Sequence, residues 1–311
     1  MVRLSAIIIS LFLVFSFQAQ AKSPPPGTGT SDIPANILIM LDNSGSMSAK
    51  LYNAVEVYYP LDVATDSSGN VYVMEYYNNR IKVFDSSGAY LRSFGGYGSG
   101  CTQWQYARQF AIHNDRIYIA DTYGHKIKVL NLNGGCIDQT TLAYSYPHAI
   151  AVNSQYIYVG NNSSRIWIHQ QGRIYTMNNY NAGSNLSYSW GMSLNGSRLL
   201  IGDYSKNRLV EFISTGRSFS GGGQAMLRYG SAGSTSYSSS NGYFSRPTDV
   251  GYDSNGNVYA LDLYNHRIQK FNSSLVYQAK TGSYSTSSGF RYPYGMHVDS
   301  NDKIYVTDFY N

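Results

Sequence analysis

Acidic and basic side chains recur along the chain with four residues between them. The pairs are Glu75 and Arg80, Asp121 and Lys126, Asp203 and Arg208, and Asp262 and Arg267, and Asp308 is an unpaired copy near the last residue. A carboxylate beside a cation can serve acid–base chemistry. A catalytic site would not recur in this way, so we expect ion pairs or hydrogen bonds that shape the fold.

Six histidines are the next candidates for acid–base work or metal binding. His125 and His266 stand just before the basic residue of their pairs, which indicates a structural role. His148 and His297 fall in or near the first strand of their repeats, and the residues at comparable places are Asp62, Gln109, Ser193 and Asp249. This mixed set forms no recognisable constellation, and no GxSxG motif occurs. We expect no catalysis, with a metal-dependent hydrolase or lyase acting at a central channel as the alternative.

Asp42, Ser44 and Ser46 form a third candidate group, in the string LDNSGSM. One carboxylate and two hydroxyls on a tight loop offer hard oxygen ligands to Mg²⁺ or Ca²⁺ and leave a position open for a partner's carboxylate. We predict no other cofactor.

Tyrosine is abundant, with 31 copies. Several tyrosines follow the recurring acids by one or two residues, and these are Tyr76, Tyr77, Tyr123, Tyr204, Tyr264 and Tyr310. They could pack neighbouring repeats together, because the ring is largely apolar. They could also form an aromatic face that binds a peptide or a glycan. The sequence leaves both interpretations open.

The elements that must position these residues are short strands. Residues 70–88 read NVYVMEYYNNRIKVFDSSG, which is two alternating runs around a polar corner and is typical of two strands joined by a turn. Related strings begin at Arg116, Tyr156, Arg198, Asn257 and Lys303, and their acidic or amide anchors lie 40 to 59 residues apart. Such a period predicts an all-β propeller with one four-stranded antiparallel blade per repeat.

The string DSSGNVYVMEYYNNRIKVFDSSG resembles the NHL repeat, and the resemblance covers residues 59–311. It implies a six-bladed propeller. The third copy departs most, with Asn161 in place of the acid, and the second carries Lys126 in place of arginine. The sixth copy stops at Asn311, so its last two strands are missing from the sequence.

Two hypotheses account for the incomplete last blade. The run from Asn36 to Gly45 aligns with Asn79–Gly88 and could supply the third strand of that blade, with residues 50–57 as the fourth. Alternatively, PANILIMLDNSGSM resembles the start of a von Willebrand factor A domain, most closely that of type IV pilus tip-associated adhesins. Its Asp42, Ser44 and Ser46 would then belong to that family's metal loop, and the chain would be part of a longer protein.

The remaining segments indicate export. Residues 1–21 are typical of a signal peptide, with Arg3, an apolar run and an Ala-Gln-Ala cleavage site. Residues 22–35 form a Pro/Gly/Thr linker, and residues 36–58 form the N-terminal strand segment. In an oxidising compartment we expect a disulfide between Cys101 and Cys136.

These features predict a secreted, periplasmic or cell-surface protein without a transmembrane segment in the mature chain. The formal net charge of +5 is small and its bases are scattered, so we expect no nucleic-acid partner. We expect a non-catalytic module that uses one propeller face to contact a protein or glycan, and the adhesin resemblance implies that it could be part of a pilus-associated or cell-surface adhesin.

Overall fold

The computed structural model describes residues 39–42, 56–142, 146–163, 165–170, 173–178, 186–213, 238–284 and 289–310. These residues form strands and two single 3₁₀ turns, without an α-helix among them. The strands make six sheets whose innermost strands surround a central channel. The prediction of an all-β propeller with antiparallel four-stranded blades is therefore confirmed.

Each sheet is one blade, and in blades 1 to 5 the strands follow one another outward in chain order. Blade 1 contains β2 (Pro60–Thr65), β3 (Val71–Glu75), β4 (Arg80–Phe84) and β5 (Tyr90–Gly95). Blade 2 contains β6 (Phe110–His113), β7 (Arg116–Asp121), β8 (Lys126–Asn131) and β9 (Cys136–Thr141). Blade 3 contains β10 (Pro147–Val152), β11 (Ile157–Asn161), β12 (Arg165–Gln170) and β13 (Arg173–Asn178). Blade 4 contains β14 (Ser189–Asn195), β15 (Arg198–Asp203) and β16 (Arg208–Ile213). Blade 5 contains β17 (Pro247–Tyr252), β18 (Val258–Asp262), β19 (Arg267–Phe271) and β20 (Tyr277–Thr281). Blade 6 contains β21 (Pro293–Val298), β22 (Ile304–Asp308) and β1 (Ile39–Asp42).

The second strand of a blade is buried on both faces. Every residue of β3, β18 and β22 is buried, because each blade is packed between two others. Six separate hydrophobic clusters fill the six junctions between neighbouring blades. One of them joins blade 6 to blade 1, where Tyr305 packs with Val57, Val63, Val73 and Phe84. The ring is therefore closed by side-chain packing of the same kind that joins the other blades.

The sixth blade differs from the antiparallel pattern that its alignment with blade 1 predicted. β1 occupies the place next to β22, but the two strands run parallel, with Ile39 opposite Tyr305 and Asp42 opposite Asp308. The aligned Asn, Asp and Gly are turn residues, and they carry no information about the direction of the partner strand. Residues 50–55 of the predicted fourth strand lie outside the described residues, and Glu56 and Val57 are not in a strand.

Cys101 and Cys136 form a disulfide, with Cα atoms 5.7 Å apart. Cys101 lies in the connection between blades 1 and 2, and Cys136 begins the outermost strand of blade 2. The bridge therefore holds this connection against the edge of the blade.

Candidate functional site

The two ends of the propeller are built from different loops. One end carries the turn between the second and third strands of each blade, together with the connection that leads into the next blade. We call this end the corner face. The other end carries the remaining turns, in which Asp66, Asp85 and Asp253 each accept hydrogen bonds from backbone N–H groups two and four residues later. Such Asx turns explain the repeated Asp-Ser-Ser-Gly and Asp-Ser-Asn-Gly strings.

The recurring acids lie buried beneath the corner face. Each accepts a backbone N–H from the segment that leads into the first strand of its blade, and the acceptor–donor pairs are Glu75 with Tyr58, Asp121 with Gln105, Asp203 with Ser187 and Tyr188, Asp262 with Ser245, and Asp308 with Arg291. These carboxylates therefore fix the connections that form the corner face.

Three of the predicted acid–base pairs are brought together. Arg80 contacts Glu75, Arg208 lies 2.9 Å from Asp203, and Arg267 lies 2.8 Å from Asp262. Blade 2 is different, because Lys128 and not Lys126 approaches Asp121, at 3.7 Å. Lys126 instead donates to the carbonyl of Ser99 at 3.4 Å.

A second repeated contact joins four of the blades to the blade that follows. The last residue of the corner turn accepts a hydrogen bond from a backbone N–H in the connection to the next inner strand. The donor directly precedes that strand in three of the pairs, whereas Tyr106 stands four residues before Phe110, the first residue of β6. The pairs are Asn79 with Tyr106 (2.6 Å), His125 with Tyr146 (3.1 Å), Asn207 with Arg246 (2.9 Å) and His266 with Tyr292 (3.2 Å). All eight residues have φ between 50° and 65°. Left-handed backbone is costly for bulky residues, so this contact holds the tyrosines in place. We call it the corner clamp.

The tyrosines form a nearly continuous aromatic path across the corner face. Ring centroids lie 4.9 to 6.4 Å apart along the sequence of contacts Tyr264, Tyr292, Tyr310, Tyr59, Tyr77, Tyr76, Tyr106, Tyr123 and Tyr146. Of the six predicted face residues, four are about half exposed, namely Tyr77, Tyr123, Tyr264 and Tyr310. Tyr76 and Tyr204 are less exposed and point toward other rings: Tyr76 toward Tyr106, and Tyr204 toward Trp190. Packing between blades and an exposed aromatic face are thus present together.

Arg108 and Trp190 lie at the mouth of the channel on the corner face. The Arg108 guanidinium stands 4.5 Å from the Trp190 ring centroid, although the two residues belong to blades 2 and 4. Trp190 also contacts Tyr294 of blade 6, at 5.9 Å. Burial raises the pKa of Tyr294 to about 12, and the Arg108 charge opposes that rise. The guanidinium therefore lies near the propeller axis.

A layer of buried polar side chains crosses the channel beneath this mouth. Asp62 accepts the Phe110 N–H at 2.8 Å, and Asp249 accepts the Met296 N–H at 2.8 Å and the Gln109 side-chain amide at 3.1 Å. Each of these bonds joins different blades. Burial and the neighbouring Asp249 charge hold the pKa of Asp62 well above its usual range, and burial raises the pKa of Asp249 to about 7.

Below the polar layer the channel widens into a cavity of about 210 Å³ that opens at the end opposite the corner face. Aliphatic side chains line it together with polar groups, and Asp62, Gln109, Ser193, Asp249 and His297 are among its polar lining residues. The sequence-predicted channel set is thus brought together, except for His148.

The two channel histidines lie at different levels. His148 lies on the corner-face side, where Tyr188 Oη is 3.2 Å from its Nε2, and burial followed by the Arg108 charge lowers its pKa to about 3. His297 is hydrogen-bonded to Thr65 at 3.0 Å, and burial lowers its pKa to about 4. Within the described ranges, no group of three or more His, Cys, Asp or Glu side chains could hold a metal ion.

The predicted cation site cannot be placed. Asp42 ends β1, whereas Ser44 and Ser46 lie outside the described residues. The cation at these residues stays a prediction.

Two features of the site were missed by sequence reasoning. Arg108 is the first of them, because nothing local in the sequence distinguishes it from the other scattered bases. The corner clamp has a weak local signal, since Asn or His precedes the basic residue in four repeats and Tyr or Arg stands before Pro at four connections. A residue before proline is normally extended, so the left-handed tyrosines were not expected.

Comparison with known proteins places the fold among propellers. Residues 61–202 match a family described as "6-bladed beta-propeller", and residues 244–271 match the NHL repeat. Among curated proteins, the RING finger protein nhl-1 of Caenorhabditis elegans is 35% identical over 66 residues, which is 21% of this chain and 7% of that protein. The chain therefore spans only a small part of this relative. Neither family match reaches residues 35–47, so the von Willebrand factor A resemblance of that segment stays a prediction.

Solved structures of the same fold include enzymes and proteins of molecular complexes. A streptogramin B lyase structure has a TM-score of 0.58 at 15% identity, covering 83% of this chain and 79% of that one. A propeller from a nidogen/laminin complex has a TM-score of 0.59 at 13% identity, covering 80% of this chain and 85% of that one. At such low identity the likeness concerns the fold alone. The chain is an all-β propeller with NHL-repeat sequence, similar to the six-bladed β-propeller family over residues 61–202.

Proposed function

We propose that the chain is an exported, non-catalytic binding module whose corner face contacts a partner at the cell surface. The observation that carries this proposal is the aromatic path, which includes half-exposed tyrosines on four blades. Tyrosine supplies large, stiff contact area at a low cost in side-chain entropy, and tyrosine and arginine are both enriched in protein interfaces.

Rigidity of the face supports the same proposal. Five connections are each fixed by a buried carboxylate, and four connections are fixed by a corner clamp. A surface held in this way loses little conformational freedom when it binds, which favours affinity. Export rests on the signal-like residues 1–21, and an adhesin role rests on the resemblance of residues 35–47 to pilus tip-associated adhesins. Where the structure describes the chain, it has no helix long and apolar enough to cross a bilayer.

Site-specific photocrosslinking tests the proposed face. A photoreactive phenylalanine analogue replaces Tyr264 on the corner face or Val276 at the opposite end of the same blade, and both side chains are about half exposed. We expect a discrete crosslinked product with a cell-surface extract from position 264 and none from position 276. Equal products at both positions, or none from the corner face, would remove the support for this function. Mass spectrometry of the chain recovered outside the cytoplasm tests cleavage after Ala21.

A channel enzyme is the second candidate. The observation that favours it is the pKa of about 7 that burial gives Asp249 in the wall of the cavity, which suits a general acid or base. Stoichiometric metal in the purified protein, lost on replacing His148 or His297, would favour a metal-dependent hydrolase or lyase. Absence of metal at equimolar level would count against it.

A further inference from the structure

Arg108 differs in its charge partners from the arginines that begin the third strands of blades 4 and 5. Arg208 and Arg267 are paired with buried carboxylates of their own blades. Within the part of the chain that the structure describes, no carboxylate lies within 4.0 Å of the Arg108 guanidinium. Its Nε is buried and finds no hydrogen-bond acceptor there. A partly buried cation without an anion is costly, and an anionic ligand would relieve that cost.

The surroundings cannot supply that anion. The imidazole of His148 stays neutral, because burial and Arg108 itself lower its pKa to about 3. The recurring acids are buried and accept hydrogen bonds from their own blades, and Glu56 is the only exposed carboxylate in the described loops of the corner face. Bases are more frequent in these described loops, and they are Arg108, Lys206, Arg246 and Arg291. The charge of the face is therefore complementary to an acidic partner.

The aromatic geometry favours a peptide over a sugar. A sugar ring binds by lying flat on an exposed aromatic face. The Trp190 ring already stacks against other groups, because the Arg108 guanidinium lies 4.5 Å and the Tyr204 ring 4.6 Å from its centroid, and Trp190 is itself partly buried. The neighbouring tyrosines meet mostly edge to face and offer edges and hydroxyl groups. Such a surface suits the side chains and backbone of a peptide.

We propose that Arg108, held over Trp190 at the mouth of the channel, binds a carboxylate of an acidic peptide segment of a partner protein. The planar guanidinium forms a two-point contact with the carboxylate, and the half-exposed tyrosines contact the flanking residues of the peptide. This inference rests on the proposed function, since it names the chemistry of the partner that the corner face takes.

Fluorescence anisotropy with a labelled glutamate-rich peptide tests the inference on the full chain. We expect saturable binding that weakens as salt is added and that falls by about tenfold or more in Arg108→Gln. Arg108→Lys keeps the charge but loses the two-point contact, so we expect an intermediate loss. Arg116→Gln is the matched control, because it removes the same charge from an exposed site at the opposite end of the same blade.

The remaining outcomes separate this inference from the proposed function. Absence of binding by the unaltered chain, an equal loss in Arg108→Gln and Arg116→Gln, or unchanged binding in Arg108→Gln overturns the role of Arg108. Equal binding of the same peptide with glutamine in place of glutamate overturns the acidic requirement. Tighter binding of polygalacturonate than of the peptide indicates an acidic glycan instead. If position 264 crosslinks a partner while Arg108→Gln leaves that product unchanged, the face binds but the carboxylate proposal is wrong. Thermal melting of each variant shows whether it is folded.

Discussion

Replacing Asn79 with alanine should destabilise the protein through the corner clamp between blades 1 and 2. Asn79 is 2% exposed, has φ of 50°, and accepts the Tyr106 N–H at 2.6 Å. Alanine in left-handed backbone costs about 1–2 kcal/mol, and an unsatisfied buried N–H costs about 1–3 kcal/mol. We expect a loss of about 3 kcal/mol, which lowers the melting temperature by about 6–12 °C in a domain of this size.

Two further variants separate the two contributions. Asn79→Gly removes the acceptor without the left-handed strain and adds some unfolded-state entropy, so we expect a loss of about 2 kcal/mol. His266→Asn keeps a hydrogen-bond acceptor on a residue that tolerates left-handed backbone, since asparagine accepts the clamp hydrogen bond in blades 1 and 4. We expect it to melt within about 2 °C of the unaltered chain. Differential scanning calorimetry measures all three. If Asn79→Ala melts with the unaltered chain, or if His266→Asn falls as far as Asn79→Ala, the account of the clamp is wrong.

Three other variants test the buried titratable groups and the disulfide. Burial lowers the pKa of His297 to about 4, so between about pH 4 and 6.5 the unfolded chain binds a proton that the folded chain does not. Stability should therefore fall as pH drops from about 6.5 toward about 4. His297→Asn should reduce that fall when melting temperatures are measured at several pH values. Asp62 and Asp249 have raised pKa values, so the protonated carboxyls contribute to the free energy of unfolding at low pH. This contribution is lost as pH rises through about 7. Asp249→Asn should lower the Asp62 pKa and weaken this dependence between about pH 5 and 8, whereas an unchanged profile would show that the two carboxyls do not interact. The double variant Cys101→Ala and Cys136→Ala opens a loop of sequence separation 35 and should lower stability by about 2–4 kcal/mol in denaturant titrations.

Much of the fold was predictable because local sequence patterns specify its strands and turns. Strands such as β3 and β4 alternate, end at a charged corner and recur at a regular period, so their number and order follow from the sequence. The acid–base pairs of blades 1, 4 and 5 were predictable for the same reason, since their two members stand on adjacent strands. The direction of β1 was not predictable, because the residues that aligned it with blade 1 specify turns and not strand pairing.

The centre of the candidate site was not predictable because it is assembled across blades. Arg108 and Trp190 are far apart in the sequence, and only the closure of the ring brings them together. The Asp62 and Asp249 side chains likewise interact through contacts between blades, and no spacing along the chain encodes them. The corner tyrosines show an intermediate case, in which the pattern identified the residues but could not separate the exposed Tyr77 from the partly covered Tyr76.

The described loops at the two ends of the propeller differ in charge, which predicts an electric dipole along its axis. Bases predominate in the described loops of the corner face, while the opposite turns carry aspartates that include Asp66, Asp85, Asp115, Asp253, Asp299 and Asp302. Such a dipole would turn a diffusing molecule before contact, so that the corner face would approach a negatively charged surface first. The effect acts over about a Debye length, roughly 8 Å at physiological salt. The arrangement of turns that builds each blade therefore also determines which end of the molecule meets its surroundings.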